Sequence, residues 1–212
     1  LTDFFRPYLP YLELQHAFLL EMDVTHAKAT YAKEIGGLLP EITSNERQIS
    51  YTKAYHPLLL QAHKLEKKLT HPQDIHLDSE NRIVVISGPN AGGKSITLKT
   101  IGLLQLMLQT GMLIPVHEKS KATLFKQILT DIGDNQSIEN HLSTYSYRLK
   151  NMKYFLRKCS ENTLFLIDEF GTGSDPELGG ALAEVMLENF YERKAFGLIT
   201  THYSNLKALA NE

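Results

Sequence analysis

Residues 82–109 read RIVVISGPNAGGKSITLKTIGLLQLMLQ. A short apolar run leads into a loop holding three glycines, a proline and a lysine set against a serine, and a helix-like run leads out. Residues 88–95, GPNAGGKS, match the pattern G-x-x-x-x-G-K-[ST] at every fixed position, between the strand and the helix that the pattern requires. Backbone N–H groups must converge there on anionic oxygens, and side chains would obstruct that approach. The helix that follows points the positive end of its dipole at the same place. Gly88, Pro89, Asn90, Ala91, Gly92, Gly93 and Ile96 are therefore candidate phosphate-binding positions. Lys94 would reach the β- and γ-phosphates of a nucleotide, and Ser95 would offer its hydroxyl to Mg²⁺. The rival reading is a glycine-rich turn with no ligand, which a full eight-residue match in this setting disfavours.

A phosphate loop needs a metal partner. TLFLIDE, residues 163–169, is a continuous apolar run ending in two acids, the pattern of a strand buried on both faces. Ligands of open α/β sheets gather at the carboxyl ends of the strands, which predicts Asp168 beside Ser95 and the metal, and Glu169 aimed at the attacking water. Taken alone, the acid pair would read equally well as a solvated strand end. THY, residues 201–203, closes the last apolar strand, so His202 is expected at the same rim.

The rest of the chain reads as an α/β domain. Residues 11–35 carry Leu12, Phe18, Met22, Ala29, Tyr31, Ala32 and Ile35 at helical spacing, and Gly36-Gly37 ends the run. The Gly-Gly-x-x-Pro break at 36–40 predicts a domain edge, with a helical segment at 1–38 and the nucleotide-binding domain at 39–212. ISYTKAY (49–55) alternates like a strand, and residues 61–71 are lysine-rich and exposed. DIHLD and RIVVIS are strand-like runs separated by the turn SEN, and ATLFKQILTDI (122–132) reads as one strand. A helix is expected over 144–158, another opening with Asp175 as N-cap and Pro176 at N1, a last strand at FGLITTH and a helix start at Ser204. Strands alternating with helices predict a largely parallel sheet flanked by helices. The stripe Leu103, Leu104, Met107 and Leu108 reads as core packing against that sheet. Composition is ordinary for a globular domain, 42% apolar and 22% charged, and a net charge of −2 gives no case for a nucleic-acid or membrane surface. Cys159 is the one cysteine, so no intrachain disulfide forms, in keeping with a reducing, cytoplasmic setting. No run of about 18 apolar residues suggests a membrane span. The chain begins at Leu1 and reads as a piece of a longer protein.

GPNAGGKS, DIGDNQSIENHLSTYSYRL, LFLIDEFGTGSDPELGGALA and TTHYSNL, in this order and spacing, resemble the ATPase domain of MutS-type proteins. TLKTIGLLQLMLQTGMLIPV and IGDNQSIENHLSTYS are most similar to the second bacterial branch of MutS, linked to restraint of recombination and in some bacteria to ribosome rescue. DVTHAKATYAKEI and AYHPLL resemble the approach to the ATPase domain in that branch, so the likeness covers roughly residues 20–212. It implies an ABC-type P-loop NTPase that hydrolyses ATP with Mg²⁺ and works as a homodimer. It further implies that Ser143, in LSTYS, approaches the γ-phosphate of the partner's site, beside Thr144 and Tyr145. Gly171, Thr172 and Asp175 become dimer-interface candidates, His202 the switch histidine, and Asn90 the loop residue typical of the family. The His56-Pro57 segment would lie near the nucleotide base. Catalysis would fall to Glu169, Lys94, His202 and Ser143, and the metal to Ser95 and Asp168. Each carry-over has a plainer rival: Ser143 as the N-cap of the helix at 144–158, Asp175 as the cap before Pro176, and Tyr145 as core.

The departures from the family pattern bear on function. The sequence has no visible mismatch-reading domain, no long clamp helices and no C-terminal nuclease-type domain, and residues 1–37 resemble the end of the lever between clamp and ATPase. DNA, in mismatched or branched form, would then be gripped by domains outside this chain. Two readings use the same pocket: an ATPase driving a conformational cycle, and a nucleotide-gated dimerisation switch with little turnover in isolation. Glu169 favours the first. A transporter-type ABC ATPase would carry LSGGQ where LSTYS stands here, and a degenerate, non-enzymatic loop would not keep Lys94, Ser95, Asp168 and Glu169 together.

Overall fold

The computed structural model describes residues 2–88, 92–133, 144–171, 176–203, 206 and 208, and the backbone alone at 144–147 and 176–177. Its elements in chain order are α1 (Thr2–Phe5), α2 (Leu9–Ile35), β1 (Glu41–Ile42), β2 (Ile49–Ala54), α3 (Pro57–Leu65), β3 (Gln73–Leu77), β4 (Ile83–Ser87), α4 (Lys94–Gln109), β5 (Lys121–Ala122), β6 (Gln127–Asp131), α5 (Thr144–Lys158), β7 (Thr163–Ile167), α6 (Pro176–Glu192) and β8 (Phe196–Thr201). Two four-stranded sheets result. One has the order β4-β8-β7-β6 and is parallel throughout; the other, β1-β5-β2-β3, is mixed.

The parallel sheet is covered on both faces, as parallel sheets require. Successive side chains of a strand point to opposite faces, and β7 uses both. Leu164 and Leu166 enter a cluster with Leu98, Ile101, Leu104 and Leu108 of α4, whereas Phe165 and Ile167 enter a second cluster with Phe155 of α5 and Met186 and Phe190 of α6. Each fully buried side chain of this size contributes about 1.5–3 kcal/mol. The close approach of β8 to β7 needs a residue without a side chain: a Cβ at Gly197 would fall 2.3 Å from the Phe165 ring. The first cluster continues past α4 into the mixed sheet, through Ile49, Tyr51, Leu77 and Ala122. A buried polar chain ties the same layers. The Tyr51 hydroxyl donates to Gln105 Oε1 (2.8 Å), Gln105 Nε2 donates to the Thr123 carbonyl (2.8 Å), and the Phe125 N–H donates to Gln109 Oε1 (2.8 Å).

The mixed sheet corrects the expectation of one continuous strand over 122–132. That run breaks at 123–126, where the chain crosses from one sheet to the other. Gln109 takes the Phe125 N–H and the Asn162 carbonyl takes the Lys126 N–H (2.9 Å), so the backbone stays satisfied without a ladder. DIHLD and RIVVIS likewise part company, β3 pairing with β2 and β4 with β8. The N-terminal helix forms as expected and ends where the glycines predict: Gly36 adopts the left-handed conformation (φ +65°), and its N–H and that of Gly37 both donate to the Ala32 carbonyl. Only Ala32 and Ile35 of α2 are buried; Leu12, Phe18 and Met22 are exposed, so the apolar spacing read there marks a helix but not a face packed in this chain. No helix among the described residues is long and apolar enough to cross a membrane.

Candidate functional site

The parallel register brings the predicted residues to one edge. Ser87 of β4 lies opposite Thr201 of β8, Ile199 of β8 opposite Ile167 of β7, and Ile167 opposite Asp131 of β6. Each strand therefore ends at nearly the same level. Gly88 follows β4, His202 follows β8, and Asp168 and Glu169 follow β7. β8 stands between the loop strand and the acid strand, so the two groups face each other across its end, two strand spacings or about 10 Å apart at the backbone.

On the loop side, Gly93 caps α4 in the left-handed conformation (φ +78°), with nothing standing where a Cβ would project. The backbone thus turns directly into a helix of 16 residues whose first residue is Lys94. Lys94 is buried, 5% exposed, and its ammonium donates to the Gly88 carbonyl, closing the loop on itself. Ser95 and Ile96 are half-buried, and Gly92 and Gly93 are exposed. Pro89, Asn90 and Ala91 lie outside the described residues. A buried cation inside a glycine-rich turn, at the positive end of a helix, suits a polyanionic ligand.

On the acid side, one hydroxyl ties the Asp168 carboxylate to the Glu169 backbone. Thr200 of β8 is fully buried. Its Oγ1 accepts the Glu169 N–H (2.8 Å) and donates to Asp168 Oδ1 in a short bond, so both of its roles are filled. The Asp168 N–H donates to the Asp131 carbonyl (2.8 Å), and the Phe170 N–H to the Thr200 carbonyl (2.7 Å). Glu169 sits at φ +50°, a left-handed backbone that non-glycine residues rarely adopt. Arg148, on α5, reaches across to it: Nη1 donates to the Glu169 carbonyl at 3.0 Å, and Nη2 lies 3.6 Å from Oε2. Asp131, half-buried at the end of β6, accepts from Asn151 Nδ2 (3.4 Å). Burial raises its pKa; Arg148 and the Asn151 bond pull it down, and Asp168 pushes it up.

The loop after the acids is pinned by the end of β8. The Tyr203 hydroxyl donates to the Gly171 carbonyl (3.0 Å), and a Cβ at Gly171 (φ +86°) would lie 2.7 Å from the Tyr203 ring. His202 is exposed, one residue beyond β8. Ser143, Thr172 and Asp175 lie outside the described residues, as do the side chains of Thr144 and Tyr145, and so does the helix start at Ser204. His56 caps α3, its Nδ1 accepting the Leu59 N–H at 3.4 Å. Burial lowers its pKa and the Lys99 ammonium lowers it further, against a hydrogen bond to its own backbone that raises it.

The His56 cap carries a pH consequence. An Nδ1 that accepts a hydrogen bond must be unprotonated, and a pKa lowered in the folded state means that the unfolded chain takes up the proton first. This contribution is present above the ordinary histidine pKa of 6.5 and is lost as pH falls through the lower folded value. His56→Asn keeps an acceptor at the cap and should flatten the fall in melting temperature between about pH 6.5 and 5; an equal fall in both proteins would contradict the assignment.

The donor set fits magnesium better than a protein-only metal cage. Among the described residues there is no group of three or more His, Cys, Asp or Glu that could hold a metal. A hydroxyl (Ser95) and a carboxylate (Asp168) at one sheet edge are the kind of donors that would suit Mg²⁺ if phosphates supplied the other oxygens. Thr200, Arg148 and Asp131 were not foreseen in the sequence. Asp131 carried the signal that revealed Asp168, an acid at the end of an apolar strand. Thr200 needed the strand register, and nothing set Arg148 apart from the other basic residues of its helix.

A family model described as MutS domain V matches residues 84–212. Among curated proteins, Endonuclease MutS2 of Finegoldia magna is 44% identical over 192 residues, covering 91% of this chain and 24% of that protein. Endonuclease MutS2 of Pediococcus pentosaceus is 42% identical over 206 residues (97% and 25%), and that of Shouchella clausii 45% over 193 residues (91% and 24%). The chain spans about a quarter of the length of the curated relatives it matches.

Proposed function

Because this chain belongs to the MutS family, on the side of its second bacterial branch, we propose that it binds ATP with Mg²⁺ and hydrolyses it, as the motor part of a larger DNA-acting protein. One observation carries the reading: the carboxyl edge of the parallel sheet sets a glycine-rich loop with a buried lysine against two acids locked by a shared threonine. Phosphoryl transfer asks a protein for positioning and charge stabilisation more than for covalent chemistry, and these are the means this edge supplies.

In this scheme Lys94 exchanges its bond to the Gly88 carbonyl for phosphate oxygens, and the backbone of 88–95 holds the rest of the chain of phosphates. Ser95 and Asp168 would hold the magnesium ion, which when bound neutralises phosphate charge. Asp168 is aimed by the Thr200 hydroxyl, which donates to its Oδ1. Glu169 orients the attacking water and accepts its proton, and its backbone, fixed by Thr200 and Arg148, decides where the carboxylate points. His202 stands at the rim to sense the outer phosphate. His56, beside α4, would flank the base. Ser143 would complete the site of a second copy in a homodimer, with Gly171, Thr172 and Asp175 at the seam. Residues 1–38 would connect this motor, 39–212, to DNA-handling parts. The endonuclease activity in the relatives' name belongs to those proteins; for this chain the proposal is the nucleotide cycle.

The test is phosphate release by the chain with ATP, in Mg²⁺ and in excess EDTA. Hydrolysis in Mg²⁺ that EDTA abolishes is expected. Tight Mg-ATP binding with no release would instead favour a nucleotide-gated dimerisation switch, and neither binding nor release would refute the nucleotide reading altogether.

A further inference from the structure

We propose that Arg148 is the positioning residue for Glu169, a side-chain clamp from α5 that sets where the acid points. The inference rests on Glu169 as the water-orienting acid and goes beyond it by naming what holds that acid. Three observations support it. The Arg148 side chain is only 15% exposed, and its guanidinium meets two parts of the same residue, the backbone carbonyl (3.0 Å) and the carboxylate (3.6 Å). The backbone it grips is left-handed (φ +50°), a conformation that for a non-glycine residue needs its surroundings to hold it. The grip also has an opposite number, because the Glu169 N–H is held from the other side by Thr200 of β8 (2.8 Å).

One residue is thus clamped at its N–H by the sheet and at its carbonyl by a helix, and the same guanidinium steers the side chain between them. A planar fork can do both at once, whereas an ammonium is a point charge that can serve one partner well. Since α5 carries the fork, a shift of α5 relative to the sheet moves the Glu169 carboxylate directly.

The experiment compares the wild-type chain with Arg148→Gln and Arg148→Lys, alone and combined with Glu169→Gln. Misplacing a reacting group by about 1 Å costs up to 100-fold, so both single variants should lower kcat about 10- to 100-fold and leave the KM for ATP within about twofold. In the Glu169→Gln background Arg148→Gln should cost nothing more, because its effect runs through that acid. A fully additive loss, or an equal loss in kcat/KM through KM alone, would overturn the proposal. Amide hydrogen exchange at Glu169 and Phe170 needs no turnover and should quicken about tenfold or more in both variants at an unchanged melting midpoint; unchanged exchange in both overturns the clamp. If Arg148→Gln does not fold, Arg148→Lys decides alone. A wild-type chain that binds no Mg-ATP refutes the nucleotide reading, and the exchange measurement still decides the clamp.

Discussion

Glu169→Gln should lower ATP turnover by about 10²- to 10⁴-fold, the range a positioned general base contributes, while nucleotide affinity stays within about twofold. Glutamine keeps the shape of the side chain and removes its ability to accept a proton. The local structure should survive. The Glu169 N–H and carbonyl are held through the backbone by Thr200 and Arg148 whatever the side chain carries. Losing the charge opposite Arg148 should cost the fold little stability, because that contact is 3.6 Å long and the glutamate side chain is 40% exposed. Steady-state phosphate release and equilibrium binding read the two quantities separately. Turnover equal to the wild type would remove Glu169 from the chemistry and leave the edge a binding site.

Lys94→Ala should act on the other quantity. Truncating one partner of a buried, charge-assisted contact costs about 2–5 kcal/mol, or roughly 30- to 5000-fold in the Kd for Mg-ATP. Lys94 is 5% exposed and already turned into its own loop, so the binding position needs little rearrangement. Alanine is a strong helix former, so α4 should still begin at this residue, and a melt of the variant checks it. Unchanged affinity in a folded Lys94→Ala protein would mean that the loop does not hold the triphosphate. Together the two variants separate holding from cutting: in the proposed scheme the lysine side of the edge governs the first and the acid side the second.

The legible parts of this fold are those where one physical signal dominates. The start of α4 could be read because the turn before it tolerates few residues, and Gly93 at φ +78° shows why a glycine stands there. TLFLIDE could be read because burial on both faces leaves no polar position, and all five residues of β7 are buried. The helix at 144–158 ends where its pattern ends. What escaped depended on partners distant in the chain. The break between β5 and β6 is made by Gln109 and Asn162, which no local pattern around 122–132 announces. The mixed sheet escaped for the same reason, because β5 contributes two residues and finds its neighbours at β1 and β2. At the site, the identities of the acids were visible and their supports were not. Thr200 sits 31 residues from Glu169 and is placed only by register. Arg148 is placed only by how α5 packs, and it reaches the acid from 21 residues upstream.

The central claim is that this edge encloses a magnesium-bound triphosphate between Lys94 and the two acids. A crystal structure of the chain grown with Mg²⁺ and a non-hydrolysable ATP analogue tests it most directly. The account predicts the Lys94 ammonium on the β- and γ-phosphates and off the Gly88 carbonyl, the metal between the Ser95 hydroxyl and the Asp168 carboxylate, and Glu169 facing the outer phosphate. A triphosphate bound elsewhere, or a metal on the nucleotide that neither Ser95 nor Asp168 approaches, would contradict it.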